Sequence, residues 1–186
     1  MPPAPDSPAL AVLDRAAVRA EMEQARQEFH QLLAQASAAD LRRPSDGTKW
    51  TNGQLLFHML LGYLIVRSLL PLARLLGRFS PRASRAFAWL LNSARGPFHV
   101  INYLGSRAGA RIIPPARQPG ALDRVITALQ RRLQQETDTA LRRGMHYPTT
   151  WDPLFTGYMT LAGLYRYPTR HFWHHRQQLT LPQTTR

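Results

Sequence analysis

The sequence predicts an all-α domain: a four-helix bundle with a long, partly helical crossover between the second and third helices. Three observations lead there. Apolar residues recur at spacings of three and four along much of the chain, cap residues with Pro and Gly mark helix starts and stops, and apolar alternation never reaches strand length. The 186 residues, 44% of them hydrophobic, suffice for one core, so 1–186 is read as a single domain with residues 1–9 as a disordered, proline-rich tail.

Val18, Met22, Ala25, Phe29, Leu32, Leu33 and Ala36 share one face of the first helix, which is expected to end near Asp40 before a loop at 43–47. The second helix has an unusually complete start signal. Thr51 and Gln54 form a capping box, with Trp50 and Leu55 at the positions of a hydrophobic staple. From Leu55 to Leu70 this helix is apolar nearly all round, which predicts a central position, and Pro71 is expected to end or kink it.

Residues 71–120 form the crossover. One short helix is predicted there, opened by Ser80 as cap and Pro81 as first residue, followed by irregular structure from about Ser93 to Gly120, because Gly and Pro interrupt the pattern repeatedly. Leu122, Val125, Leu129, Leu133 and Ala140 mark the third helix, closed by Arg142, Arg143 and a left-handed cap at Gly144. Asp152 as N-cap and Pro153 at the first helical position predict the start of the fourth helix. Pro168 should interrupt it, with a restarted helical segment over Thr169 to Leu179.

The absence of cysteine excludes disulfides, thiolate metal ligands and a cysteine nucleophile. The N-terminal segment lacks the basic and apolar regions of a secretory signal, which predicts a cytoplasmic protein. The apolar stretch Leu55 to Val66 stops at Arg67, short of the roughly 18–20 residues of a membrane span, so no transmembrane segment is expected. The net charge of +13 is uneven: Lys49 and nine arginines lie between Asp46 and Asp123 with no acidic residue among them. That block is either a solvated surface or a contact for nucleic acid or an anionic membrane, although no nucleic-acid recognition motif accompanies it. A homodimer packed across a twofold axis is the expected assembly.

Histidine carries the chemical signal. His171 and His175 are four apart, a spacing that stacks two imidazoles on one helical face, whereas His174 is turned roughly 100° from His175. His58 is the candidate third ligand, since it sits in the apolar second helix where an unpaired imidazole is costly to bury. Two readings stay open: a shared ion such as zinc, nickel, iron or manganese with an open coordination position, or a core histidine bonded to the backbone plus two at a helix end. His30, His99 and His146 have no partner pattern and read as structural, while Trp50, Trp151, Trp173, Tyr165 and Tyr167 fit either pocket or core.

The segment Trp50-Thr51-Asn52-Gly53-Gln54-Leu55-Leu56-Phe57-His58 resembles the motif of the DinB/YfiT-like superfamily in which a Trp and a capped helix start precede a His. His171 to Leu179 resembles the family's last-helix motif, His-x-x-x-His-x-x-Gln-Leu. The resemblance implies a divalent metal held by His58, His171 and His175 and an enzyme that activates a low-molecular-weight thiol or water. Its partners would then be a thiol cosubstrate and a small-molecule electrophile, as in thiol transferases and hydrolases. Gln178 is read either as orienting a ligand from the second sphere or as a surface polar residue; Arg107 or Arg111 could bind carboxylates of the thiol, with plain solvation the favoured reading for each. The chain departs from the family in its long Arg-rich crossover and in Pro168. The rival reading is a non-catalytic binding protein that uses the basic crossover.

Overall fold

The structure is a computed structural model that describes residues 14–79 and 81–181; the expected tail at 1–9 and the cap at Ser80 lie outside them. Its helices are α1 (Arg15–Gln35), α2 (Ala38–Arg42), α3 (Asn52–Leu76), α4 (Pro81–Ser93), α5 (Arg95–Ile112), α6 (Gln118–Gln135), α7 (Asp138–Arg142) and α8 (Leu161–Arg176). Strands β1 (Gly144–His146) and β2 (Tyr158–Thr160) pair antiparallel between α7 and α8.

Four long helices make the bundle. α3 packs against α6 and α8, and α1 packs against the same two, while α5 lies along the outside of α3. The core is the set that periodicity selects: Val18, Met22, Ala25 and Phe29 of α1, Leu122, Val125, Leu129 and Leu133 of α6, and Leu55, Leu56, Met59, Leu60 and Tyr63 of α3, each 0% exposed. α3 is long and apolar enough to cross a membrane by length and composition. It is the central helix of the bundle: its N-terminal half is buried against its neighbours, while Ile65, Leu69, Leu72 and Leu75 toward its C-terminal end are exposed.

The capping box at α3 is present, with Thr51 accepting from the Gln54 N–H and Gln54 accepting from the Thr51 N–H. The start of α3 is also tied to the far end of α8. Fully buried Asn52 donates to the Thr180 hydroxyl (2.9 Å) and accepts from the Thr180 N–H (3.1 Å), and the Asp46 N–H donates to the Gln178 carbonyl (2.8 Å). These bonds hold His58, near the start of α3, beside the last turns of α8.

Several sequence expectations are corrected. Pro71 does not end the second helix, which runs on to Leu76. Residues 67–69 and 71–72 are exposed, so the Arg67 carbonyl that loses its bond faces solvent. Residues 95–112, expected to be irregular, form α5. Pro97 sits in its first turn, where a missing N–H costs nothing. Gly109 lies where α5 crosses α3, and a methyl group there would overlap the Phe57 ring, so this glycine serves close packing and not a turn.

The helix expected to reach Ala140 stops at Gln135 and resumes as α7, and Gly144 belongs to β1, where its lack of a side chain lets it approach the Met159 carbonyl. Asp152 and Pro153 do not open the last helix. Thr160 caps it, accepting from the Gly163 N–H, and α8 runs through Pro168 without a break, held by buried Leu164, Tyr165 and Phe172 on either side.

Candidate metal centre

α3 and α8 bring His58, His171 and His175 together, with one ring nitrogen of each within 4.8 Å of the others. His58 is 6% exposed, His171 3% and His175 9%. Their ring centroids lie 4.5–4.9 Å apart. The i, i+4 spacing on α8 places the two imidazoles in register, as read from the sequence. His174 is outside the cluster, and His30, His99 and His146 are elsewhere: His30 meets Asp123 (2.9 Å), His146 meets Ser84 (3.0 Å) and His99 meets Arg95 (3.3 Å).

Glycine makes the approach possible. Gly62 is one turn beyond His58 on the same face of α3, and a Cβ on it would stand 2.9 Å from His171 Nδ1. The sequence reading passed over Gly62; the close approach shows only in the packing of α8 on α3.

The hydrogen bonds around the cluster set the tautomers. The Ser106 hydroxyl donates to the Asn102 carbonyl (2.8 Å), so toward His58 it can only accept, and the 3.0 Å contact is His58 Nδ1–H donating to Ser106 Oγ. His175 Nδ1–H likewise donates to Gln178 Oε1 (2.6 Å). Both Nε2 atoms are thereby left with a lone pair. His171 differs: its Nδ1 is buried without a hydrogen-bond partner, and its Nε2 is 3.6 Å from Asp152 Oδ2.

All three imidazoles are held neutral. Burial pushes His58 down to about 3, with the nearby His175 adding to the effect. Burial moves His171 well below its ordinary value, followed by His58, His175 and His174. His175 is lowered by burial, against the opposing bond to Gln178.

The sequence reading missed two site residues. Ser106 falls in the stretch expected to be irregular. Asp152 looked like a helix cap; it accepts from the Leu154 N–H (2.7 Å), an Asx turn, and from the Tyr167 hydroxyl (2.9 Å), whose own ionisation is raised by burial and by that carboxylate. Trp50 stacks on His58, with centroids 4.4 Å apart and planes at 26°, and so closes one side of the cluster. Trp173 is 38% exposed, and the Tyr165 hydroxyl donates to Glu136.

A cavity of about 270 Å³ opens beside His58 and His171, with Asp152, Tyr167 and Trp151 among its walls. Arg107 and Arg111 do not line it. They border a separate groove near Thr51 and Gln54, with Arg107 over the Tyr103 ring at 5.4 Å.

Comparison with known proteins agrees with this architecture. No curated protein matches the sequence. In fold, the chain is similar to YfiT from Bacillus subtilis, described as a probable metal-dependent hydrolase with an unusual four-helix bundle topology. The TM-score is 0.62 at 14% identity, covering 97% of this chain and 90% of that one. Residues 21–179 match the family model of the DinB superfamily, a span that runs from α1 past both histidine motifs, and the chain belongs to that superfamily.

Proposed function

We propose that His58, His171 and His175 hold one divalent metal ion and that the centre catalyses hydrolysis of a small molecule bound in the adjoining cavity. The carrying observation is three neutral, buried imidazoles from two helices, converging on one point with two of their outer nitrogens already bonded to acceptors. The residues fit an ion on a further ground. Buried polar atoms are nearly always partnered, and His171 Nδ1 is an orphan inside this cluster. Three protein ligands leave a coordination position for a substrate or nucleophile.

When bound, a divalent ion supplies Lewis acidity, polarising a carbonyl and making water or a thiol nucleophilic near neutral pH. The chain supplies the rest. Ser106 and Gln178 fix two ring orientations. Asp152, held by Tyr167 and the Leu154 N–H, is positioned on the cavity wall to take a proton. Water adds to the carbonyl carbon of an ester or amide and the bond to the alcohol or amine breaks. The proton that water gives up passes through Asp152 to the leaving group.

Water is favoured over a charged thiol because the cavity wall holds no Lys or Arg among the described residues, while Asp152 would repel a carboxylate. With aryl esters and anilides as probes, hydrolysis is expected to stop on chelation and to return with added zinc or nickel. Asp152→Asn should lower the rate about 10²–10⁴-fold while metal content holds. Hydrolysis indifferent to chelation would overturn the proposal, and turnover only in the presence of an added thiol would replace water as the nucleophile.

Ser106→Ala and Gln178→Ala are each expected to weaken metal affinity about 10–100-fold, measured by competition with a chromophoric chelator. Parent-like affinity in both would mean that these bonds do not orient the ligands.

A further inference from the structure

The cavity also carries information about what it accepts, and this step rests on reading the histidine cluster as the reaction centre. Positions 58, 61, 62, 65, 66, 69, 72 and 73 of α3 all face the cavity. They fall on one helical stripe at spacings of three and four, which at 1.5 Å per residue runs roughly 20 Å from the histidines outward. A cavity of about 270 Å³ spread over that length is an elongated slot.

The histidine and carboxylate side chains of the slot lie together at its inner end, with the His58 and His171 ring centroids 4.9 Å apart and His171 Nε2 3.6 Å from Asp152 Oδ2. Most of the remaining lining is aliphatic and aromatic, including Phe87 and Leu91 of α4 and Leu61 of α3. Two stacked pairs stiffen the walls: Phe98 on Trp151, centroids 4.0 Å apart with planes at 9°, and Phe155 on Tyr167 at 4.5 Å. At the outer end Ile65, Leu69 and Leu72 line the slot while being 40%, 47% and 40% exposed, so the lip itself is apolar. The arginines of α4 and α5 stay outside it.

We propose that this slot binds an uncharged, elongated apolar substrate, a medium-length acyl or arylalkyl group, whose single polar head is directed at the histidine cluster. Specificity would come from chain length, with little tolerance for charge along the chain, because no counter-ion waits in the slot and a buried unpaired carboxylate is costly.

A series of linear alkyl hydroxamates tests this on the full-length, metal-loaded protein by calorimetry. Affinity is expected to rise about two- to fourfold per methylene between acetohydroxamate and octanohydroxamate. An ω-carboxylate on the eight-carbon chain should abolish the gain, and Leu69→Glu, at the exposed lip, should flatten the dependence on chain length. Metal-dependent binding with no chain-length dependence would overturn the proposal while leaving the metal centre intact. A chain-length dependence for 1-alkanols in protein that takes up no metal would uphold the slot while the metal reading fails.

Discussion

Replacing His171 with alanine is expected to strip the protein of its metal. The parent chain should carry about one equivalent after purification and dialysis, whereas His58→Ala and His171→Ala should each fall below roughly a tenth, because a three-ligand site rarely retains an ion on two imidazoles. Loss of a mere orienting partner costs about 10–100-fold in affinity, and loss of a ligand should exceed that. Unfolding is the competing explanation, since both rings are buried and truncation leaves a void. Circular dichroism and thermal melts on the same samples separate the two. His30→Ala is the control: His30 bonds Asp123 on α6, away from the cluster, and that variant should keep its metal. Equal metal in all four proteins would remove the site.

The second large effect is acid lability of the metal-free protein. His58 ionises at about 3 in the folded chain because burial penalises its charge, with His175 adding repulsion, against about 6.5 when unfolded. Between those values the unfolded chain binds a proton that the native chain refuses. The stability held above pH 6.5 is therefore lost progressively as pH falls toward 3. At pH 4.5 this amounts to roughly 2–3 kcal/mol from His58 alone, at 1.36 kcal/mol per unit. His171 and His175 are displaced in the same direction and add to it. Urea midpoints at pH 7.5 and 4.5 for the parent and His58→Leu measure the difference. The variant should lose distinctly less stability on acidification, and an identical loss in both would mean that His58 is not held neutral by the fold. Bound metal, which also requires neutral imidazoles, should deepen the pH dependence.

The parts of this molecule that could be read from sequence are those in which local signals and tertiary packing agree. The stripe Val18-Met22-Ala25-Phe29-Leu32 is buried along its whole length, and the Thr51–Gln54 box starts α3 where its pattern says. His171 and His175 meet because the helix repeat forces them together. Where packing overrides local preference, the reading failed. The glycines of α5 look like breakers, yet Gly109 is the point where α5 presses on Phe57, a fact that lives in a contact between residues far apart in sequence. Pro168 lies inside α8 because the buried neighbours Leu164, Tyr165 and Phe172 offset one missing hydrogen bond.

Asp152 followed by Pro153 carries the signature of a helix start. The same side-chain chemistry, an oxygen accepting from an N–H two residues on, also builds the turn actually present. The role of that carboxylate beside His171 depends on the path of the loop at 147–157 back to β2, which no spacing rule encodes. Ser106 was hidden for a similar reason, since its meaning comes only from the face that α5 turns toward His58. The short β1–β2 pair is three residues a side, below the length at which alternation can be recognised.

Anomalous diffraction from crystals of the metal-loaded protein tests the central claim most directly. The account predicts one strong peak about 2.0–2.1 Å from a ring nitrogen of each of His58, His171 and His175. A peak ligated by fewer than these three, or placed at an outer imidazole such as His99 with nothing between α3 and α8, would contradict it.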